Sequence, residues 1–463
     1  MRTIDRLLLL IFLSLTLVAG GYPVLAGTAT GWRAGVARVV ITPEQPMWLA
    51  GYAARTHPSE GKLHDLWAKA LVLEDADGKK AVLITTDLVG VPLTVSNYIR
   101  DRLQARYGLT RAQILLNSSH THSGPVLQNA LSDIYPLDQE QLMRIKAYTE
   151  KFQQEVVALV GRALQHLEPV ELYSQNGVTR FQVNRRNNAE GTLARLIELK
   201  GPNDYAVPVL KVVNGKGELK AIAFGYACHP TVLDLYQWSG DYPGYAQLEL
   251  EKAHPGVTAL FFQGAGADQN PLPRRTIPLA HQYGRELAAA VERVLAEEMR
   301  KLSPRLTTAY QEVNLPLTGP PTREELVRLT QEAPYDYMKR WAGRMLQNLD
   351  KGEKAPASYP YPLQVWQLGE QTVMSLGGEL VVHYANELKR LFGPELFVLG
   401  YSNNVMAYIP SATILKEGGY EGATSQMVYG LPGPWGPAVE SLILGEMVKL
   451  AGQVGVSQLK AEK

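Results

Sequence analysis

Strand-like apolar runs that end directly in polar or glycine-rich loops constrain the fold of this chain most strongly. Lys80 to Thr86 ends at Asp87, and Thr258 to Gln263 runs into a loop of small residues. Leu219 to Ala227 runs into Cys228-His229-Pro230. Ligands of α/β sheets bind at the carboxyl ends of strands. The pattern therefore predicts an α/β fold whose functional site is assembled from strand ends.

Segments with helical periodicity alternate with these runs and complete the α/β pattern. The clearest helices are predicted at about 95–107, 138–166, 245–253, 278–301, 380–392 and 438–451. A charged helical region at 322–350, which Pro334 interrupts, is interpreted as a solvated excursion rather than a binding patch. Internal repeats and linker-like stretches are not evident in the sequence. We therefore expect one domain.

The N-terminal residues have the pattern of a secretory signal peptide. Arg2 and Arg6 precede an apolar run from Leu7 to Ala19, and small residues follow up to Ala26. This pattern predicts a signal peptide over residues 1–26 and an exported domain over 27–463. An uncleaved N-terminal anchor is the alternative, although the run is shorter than the ~20 residues of a membrane span.

The composition limits the classes of function. Cys228 is the only cysteine, so an intramolecular disulfide cannot stabilise the exported domain. The formal charge of +1 gives no reason to expect a nucleic-acid partner. The loop at Gly264 to Pro271 lacks the spacing of a dinucleotide site and the lysine of a phosphate loop. Export also separates the protein from cytosolic ATP and NAD. A hydrolytic reaction is therefore favoured over one that uses such a cofactor.

A His-x-His motif is the strongest candidate for chemistry. The stretch Asn117 to Pro125 follows the apolar residues 114–116 and contains His120 and His122. If the strand continues through the motif, alternation places both imidazoles on one face. Together they can bind a metal, or one can bind while the other transfers protons. Hydrogen-bonded surface histidines near a loop are the alternative.

Further short motifs occur along the chain in an order that is typical of one family. The matching pieces are Gly35 to Pro43 with Gly51-Tyr52, His120 to Pro125, Asn184-Arg185, His229 to Thr231 with Ser239 to Asp241, Gly377 to Glu379, and Tyr408 with Tyr420 to Gly422. In this arrangement the chain resembles the catalytic domain of the neutral (non-lysosomal) ceramidases, which are zinc-dependent hydrolases of the amide bond in ceramide.

The resemblance implies a zinc site and roles for the residues around it. The implied metal ligands are His120, His229, Glu379 and Tyr408. His122 is implied as general acid or base. The residues implied to contact the substrate or the developing oxyanion are Arg185, Tyr420 and Gly51. For Glu379, which precedes a predicted helix, capping of that helix is the alternative role.

The loop at Ala267 to Pro271 departs from the family pattern. Asn270 stands where the family has the serine that is usually assigned as nucleophile or substrate contact. A carboxamide cannot replace an alkoxide nucleophile, although it can donate a hydrogen bond to an oxyanion. We therefore predict attack by metal-activated water, with Asp268 and Asn270 among the catalytic residues.

The resemblance predicts a single large mixed-sheet α/β zinc hydrolase domain of the neutral ceramidase catalytic type, without the β-sandwich-like C-terminal domain. The predicted activity is hydrolysis of an amide bond in an N-acylsphingosine (ceramide)-like substrate. The alternatives are a zinc amidase or esterase on a non-sphingolipid substrate and an inactive envelope binding protein. Because such a substrate is lipid-like, peripheral contact of the protein with a membrane is a further alternative.

The sequence also leaves a second, structural divalent cation open, near Asp87 or Asp241. Turn capping is the more common role of acidic loop residues. The sequence does not predict an oligomeric state.

Overall fold

The computed structural model describes residues 31–195 and 198–459. The predicted signal segment, residues 1–26, lies outside the described residues. In the part of the chain that is described, no helix has both the length and the apolar character needed to cross a membrane.

Strands occur along nearly the whole described chain. In chain order they are β1 (Trp32–Val40), β2 (Gly61–Lys62), β3 (Trp67–Glu74), β4 (Lys80–Thr86), β5 (Ile114–Ser118), β6 (Glu168–Val178), β7 (Gln182–Asn184), β8 (Ala206–Asn214), β9 (Leu219–Tyr226), β10 (Gln237–Trp238), β11 (Thr258–Gln263), β12 (Gln269–Pro271), β13 (Arg300–Lys301), β14 (Leu306–Pro316), β15 (Ser358–Leu368), β16 (Gln371–Leu376), β17 (Glu379–Leu380), β18 (Phe397–Leu399) and β19 (Tyr408–Ile409).

Helices connect and cover these strands. They are α1 (Leu93–Tyr107), α2 (Gln139–Gln165), α3 (Asp241–Ala253), α4 (Ile277–Ala296), α5 (Arg323–Glu332), α6 (Asp336–Asp350), α7 (Val382–Phe392), α8 (Ala412–Glu417), α9 (Ser425–Val428) and α10 (Val439–Gln453). A short π-helical turn at Tyr420–Thr424 precedes α9.

A large mixed sheet confirms the predicted α/β class. Its strand order is β11-β9-β8-β6-β1-β3-β4-β5, and β13 adds to β6. The pairs β4–β5 and β9–β11 are parallel, whereas the other neighbouring pairs are antiparallel. A second sheet has the order β14-β15-β16-β18, with β16 and β18 parallel.

The two sheets pack face to face through one apolar layer. Leu71, Leu83 and Phe262 of the large sheet contribute to this layer together with Trp366 and Phe397 of the second sheet. The opposite face of the large sheet packs on α1 and α2 at one end and on α3 and α4 at the other. Helices α7 and α10 cover the outer face of the second sheet. The result is a four-layer arrangement of helices, two sheets and helices.

Burial on both faces explains the apolar runs in the sequence. In β3, Leu71 and Leu73 face the second sheet, while Ala70 and Val72 face the helices. A strand that is buried on both faces has no polar alternation, so it reads as a continuous apolar run. Such runs gave strand positions correctly, and β4 and β11 have the predicted bounds.

The predicted starts of two helices were wrong. Helix α3 begins at Asp241 rather than near Tyr245. Helix α7 begins at Val382 rather than at Leu380, because Glu379 and Leu380 pair with β19 as the short strand β17. Pro334 separates α5 from α6, as expected.

Asn117, the last but one residue of β5, joins three segments by its side chain. Its Nδ2 donates to the carbonyl oxygen of Gly400 at 2.8 Å and to Ser402 Oγ at 3.1 Å. Its Oδ1 accepts from the backbone N–H of Gln263 at 2.8 Å. The side chain is fully buried, so these backbone groups have no access to water in its place.

We therefore expect Asn117→Ala to lower the free energy of unfolding by about 3 kcal/mol, because it leaves buried polar groups unpaired. Urea unfolding should show a lower midpoint with an unchanged m-value. Asn348→Ala on α6 is the control, since the Asn348 side chain makes no hydrogen bond within the described residues. A loss no larger than that of the control would contradict the bridging role.

Candidate metal centre

The candidate site lies at strand ends, but the His-x-His motif does not continue a strand. Strand β5 ends at Ser118, and His120 has a left-handed backbone with φ of 66°. The prediction that strand alternation aligns His120 and His122 was therefore wrong. Instead the loop turns at His120, and this turn still brings the Nε2 atoms of His120 and His122 within 3.2 Å of each other.

Backbone carbonyl groups orient the imidazoles of His120 and His229. His120 Nδ1 donates to the carbonyl oxygen of Val89, which follows β4. His229 Nδ1 donates to the carbonyl oxygen of Gly266 at 3.1 Å. Because a carbonyl oxygen can only accept, each Nδ1 must carry the hydrogen. The Nε2 atom of each neutral ring then keeps its lone pair for another partner.

These lone pairs meet a buried carboxylate. His120 Nε2 lies 3.1 Å from His229 Nε2. Glu379 Oε2 lies 3.3 Å from His120 Nε2 and 3.4 Å from His229 Nε2. That oxygen is buried and has no hydrogen-bond donor among the described residues. Three electron-rich atoms that face each other in this way form a site suited to a cation.

The donor set fits zinc. Tetrahedral zinc with bonds of about 2.0–2.1 Å places its ligand atoms about 3.3 Å apart. The observed separations of 3.1, 3.3 and 3.4 Å agree with that value. In the ranges 31–195 and 198–459, one cluster of three His, Cys, Asp or Glu side chains has all its ligand atoms within 4.8 Å, namely His120, His122 and His229.

Pairing of two short strands brings the other two predicted ligands together. Glu379 in β17 is the register partner of Tyr408 in β19. The Tyr408 ring lies parallel to the His229 ring, with centroids 6.4 Å apart and an interplanar angle of 11°. Because Glu379 belongs to the short strand β17 and its side chain makes no hydrogen bond at the start of α7, the alternative that Glu379 caps α7 is wrong. Burial, together with the Glu379 carboxylate, raises the pKa of the Tyr408 phenol well above its usual value. Its role as a ligand stays a prediction.

His122 lies against the centre but is held differently. Its Nε2 is 3.2 Å from His120 Nε2, while its Nδ1 is buried without a hydrogen-bond partner among the described residues. The Tyr52 ring packs on it at 4.7 Å between centroids. Burial, the His120 ring and the Arg55 guanidinium lower the pKa of His122 well below its usual value. The imidazole is therefore neutral at neutral pH.

Gly51 borders the His122 ring directly. A Cβ atom at Gly51 would lie 2.4 Å from both Cγ and Nδ1 of His122. Its φ of 99° is in a region that favours glycine, and its backbone N–H donates to the Tyr135 hydroxyl at 2.6 Å. A substrate contact by Gly51 stays a prediction, whereas its packing against His122 is part of the structure.

Arg185 connects several of the predicted residues. Its guanidinium donates to Glu421 Oε1 at 2.8 Å, to Tyr408 Oη at 3.2 Å and to Asn270 Oδ1 at 3.4 Å. Its Cζ lies 5.9 Å from the centroid of the Tyr420 ring, and Tyr420 is 41% exposed. The structure therefore brings Arg185, Asn270, Tyr408 and Tyr420 together at the accessible side of the centre.

Glu421 is a part of this arrangement that the sequence did not single out. It is 5% exposed, and its Oε2 accepts from Arg186 at 2.6 Å while Oε1 binds Arg185. Burial alone would raise its pKa, but the two guanidinium groups hold the pKa of Glu421 below its usual value. In the sequence Glu421 stood within the matching piece Tyr420 to Gly422 and Arg186 stood next to Arg185, but no role was predicted for Glu421 or Arg186.

Asp268 takes the capping role that had been considered for Glu379. Its Oδ1 accepts from the backbone N–H of Val382 at the start of α7, at 2.8 Å. Its Oδ2 accepts from Asn184 Nδ2 at 3.2 Å, and burial raises the pKa of Asp268 to about 6. Catalysis by Asp268 stays a prediction, but these hydrogen bonds are those of a residue that fixes the loop to the helix.

The described residues give no further cluster for a second cation. Asp241 accepts backbone N–H groups from Leu233 at 2.8 Å and Tyr242 at 2.7 Å. Asp87 accepts from the backbone N–H of Trp67 at 2.9 Å. Their carboxylates are thus used to fix loops, and a second cation there stays a prediction.

Comparison with known proteins identifies the family. The model of the neutral/alkaline non-lysosomal ceramidase N-terminal region matches residues 32–276, which is more than half of the 463 residues. The chain belongs to this family. The matched segment includes His120, His122 and His229.

Curated relatives from two groups of organisms each match about half of the chain. Neutral ceramidase B of Dictyostelium discoideum is 28% identical over 250 residues, which is 49% of this chain and 33% of that protein. Neutral ceramidase of Drosophila melanogaster is 27% identical over 237 residues, 48% of this chain and 32% of that protein. The matched segments thus span about a third of the length of these relatives.

Solved structures of the family share the fold over nearly the whole chain. Neutral ceramidase from Pseudomonas aeruginosa superposes with a TM-score of 0.71 at 20% identity, over 94% of this chain and 76% of that chain. A ceramidase complexed with C2 gives a TM-score of 0.70 at 19% identity, over 94% of this chain and 77% of that chain. The expected fold of the ceramidase catalytic type is confirmed.

The geometry separates His122 from the other donors in a way that zinc binding can test. We expect His229→Ala and Glu379→Ala to lose the bound zinc, because each removes one corner of the triangle with His120. His122→Ala should retain it, since the His122 ring contacts only one corner at short range. Zinc per chain after dialysis, measured by atomic emission, checks this.

His254→Ala serves as the control for loss of an imidazole, because His254 pairs with Glu292 at the end of α3. Loss of zinc from the His122→Ala protein would place His122 in the ligand set and overturn its separate role.

Proposed function

We propose that this protein is a zinc-dependent hydrolase that cleaves the amide bond of an N-acylated, ceramide-like substrate. The convergence of His120 Nε2, His229 Nε2 and Glu379 Oε2 supports this proposal most strongly. Membership of the ceramidase family supports the choice of an amide bond. His120, His229, Glu379 and Tyr408 would hold the metal ion.

Zinc bound there supplies Lewis-acid chemistry, which polarises the substrate carbonyl and lowers the pKa of water to about 7. His122 moves the proton in this proposal. Its Nε2 faces the centre, 3.2 Å from His120 Nε2. This atom accepts a proton as the water oxygen bonds to the carbonyl carbon, and then donates it to the leaving nitrogen as the C–N bond breaks. The products are a carboxylic acid and an amine.

We assign to Arg185 and Asn270 the stabilisation of the negative charge that develops on the carbonyl oxygen of the substrate. Arg185 is a fixed cation, because Glu421 and Tyr408 hold its guanidinium. Asn270 uses Oδ1 to accept from Arg185, which leaves its amide nitrogen as a donor. Fixed donors of this kind stabilise an oxyanion without reorganisation during the reaction. The Tyr420 ring is exposed and lies beside Arg185, and we assign to it a contact with the substrate.

A protein that binds a ceramide-like ligand without turnover is the second candidate. The observation in its favour is Asn270, which occupies the position of the family serine and is engaged by Arg185. The two candidates share the metal centre and differ in product formation. A third candidate, an amidase for small non-sphingolipid amides, differs from the first only in the apolar part of the substrate.

Removal of the metal tests the proposal directly. We expect chelation to abolish release of fatty acid from an N-acylsphingosine, and equimolar zinc to restore it, because the three donors converge on one point and no donor among the described residues contacts Glu379 Oε2. Product is measured by liquid chromatography with mass spectrometry. Calcium at the same concentration is the control, since it prefers oxygen donors.

Comparing N-acetyl and N-palmitoyl substrates separates the candidates. Preference for the long chain supports the ceramide-like substrate, and preference for the short chain supports the small-amide alternative. Binding of both without product, in protein that contains zinc, would contradict hydrolysis and support the binding protein.

Displacement of the His122 ring tests proton transfer without removing the imidazole. We expect Gly51→Ala to lower kcat by about 10²-fold or more, the size typical of general acid–base catalysis. The added methyl group would overlap the ring, as judged from the 2.4 Å approach. Steady-state kinetics and zinc content are measured on the same samples, and zinc should remain bound.

Gly78→Ala is the matched control, because Gly78 also has a positive φ, of 79°, but no atom lies within 4 Å of its added Cβ. The control shares the backbone strain and not the contact. Equal kcat in the Gly51→Ala and Gly78→Ala proteins would remove the assignment of His122.

A further inference from the structure

Tyr429 contacts the predicted metal ligand Glu379 through the carboxylate oxygen that does not face the histidines. Its hydroxyl donates to Glu379 Oε1 at 2.5 Å. The other oxygen, Oε2, is the atom that faces His120 and His229 at 3.3 and 3.4 Å. The two oxygens of one carboxylate are thus divided between a hydrogen-bond donor and the centre.

This division determines how the carboxylate can bind. A carboxylate with both oxygens free can rotate about its last bond or bind through both oxygens. The Tyr429 hydroxyl occupies Oε1 and leaves Oε2 as the one oxygen available to a cation. Groups that hydrogen-bond to a metal ligand fix its orientation, and their loss typically weakens metal affinity by about 10–100-fold.

Helix α6 holds the backbone of the two residues that follow Tyr429. Arg344 on α6 donates to the carbonyl oxygen of Gly430 at 3.0 Å. Trp341, one turn earlier, donates from Nε1 to the carbonyl oxygen of Leu431 at 2.9 Å. The charged helical region that the sequence predicted as a solvated excursion therefore supports the segment that carries Tyr429.

The Tyr429 ring also forms part of the wall of a cavity of about 280 Å³. Tyr359 lines the same cavity. Its hydroxyl accepts a hydrogen bond from Asn404 and, unlike the Tyr429 hydroxyl, makes no hydrogen bond with a predicted metal ligand among the described residues. Replacement of either tyrosine by phenylalanine keeps the ring and removes one hydroxyl. Tyr429→Phe and Tyr359→Phe are therefore matched substitutions, and only the first removes a hydroxyl that contacts Glu379.

We propose that Tyr429 is a positioning residue, whose hydroxyl fixes the Glu379 carboxylate so that Oε2 alone is presented to the metal. The inference rests on the proposed zinc centre, and it adds a residue that neither the motifs nor the proposed mechanism includes. Tyr429 acts through Glu379 and does not touch the substrate.

Zinc affinity tests the proposal by competition with a chromophoric chelator. We expect Tyr429→Phe to weaken zinc binding by about 10-fold or more, and Tyr359→Phe to leave it unchanged. Thermal unfolding of the metal-free proteins should be similar for both variants, because each retains its ring. Zinc affinity of Tyr429→Phe equal to that of the wild type would overturn the positioning role.

A double-mutant cycle shows whether the effect passes through Glu379. The Glu379→Ala protein should lose zinc on dialysis, so its weaker zinc affinity is measured by titration at higher zinc concentration. In that background Tyr429→Phe should have no further effect on zinc affinity, since the oxygen that it orients is gone. An additive effect in that background would overturn the proposal. Failure of the wild-type protein to bind zinc would instead overturn the proposed function together with this inference, so the two failures are distinguishable.

Discussion

The hydrogen bonds from two imidazole Nδ1 atoms to backbone carbonyl oxygens are the interactions on which the rest of the site depends. Val89 and Gly266 provide these oxygens, and both residues follow strands of the large sheet. Each bond fixes the tautomer and the direction of a ring, so that the Nε2 lone pairs converge. The carbonyl groups keep these positions because the strands before them are buried on both faces.

Around this pair the chain builds a polar interior between apolar layers. Asp268 fixes one loop to the start of α7, and Glu421 fixes Arg185 and Arg186. Groups of this kind are costly when buried without a partner, so each must be matched closely. The same requirement makes Glu379 Oε2, which has no donor among the described residues, a suitable ligand atom for a cation.

The sequence predicted the sheet strands well because burial on both faces leaves a continuous apolar signal, as in β4 and β11. Motif resemblance brought together His120, His229, Glu379 and Tyr408, which no periodicity could have connected. The left-handed turn at His120 and the pairing of β17 with β19 depend on long-range contacts, so local patterns predicted a strand and a helix cap instead. Tyr429, an isolated tyrosine in a glycine- and proline-rich stretch, gave no signal.

The shared apolar layer between the two sheets has a consequence for how the chain can be divided. The segment that matches the family model, 32–276, ends before the second sheet begins at Leu306. Expressed alone, it would expose the face of the large sheet that Trp366 and Phe397 now cover, and it would contain two of the four predicted ligands. In this chain the segment that matches the family model therefore relies on the second sheet to cover one of its apolar faces, and Glu379 and Tyr408 reach the centre from the part of the chain outside that segment.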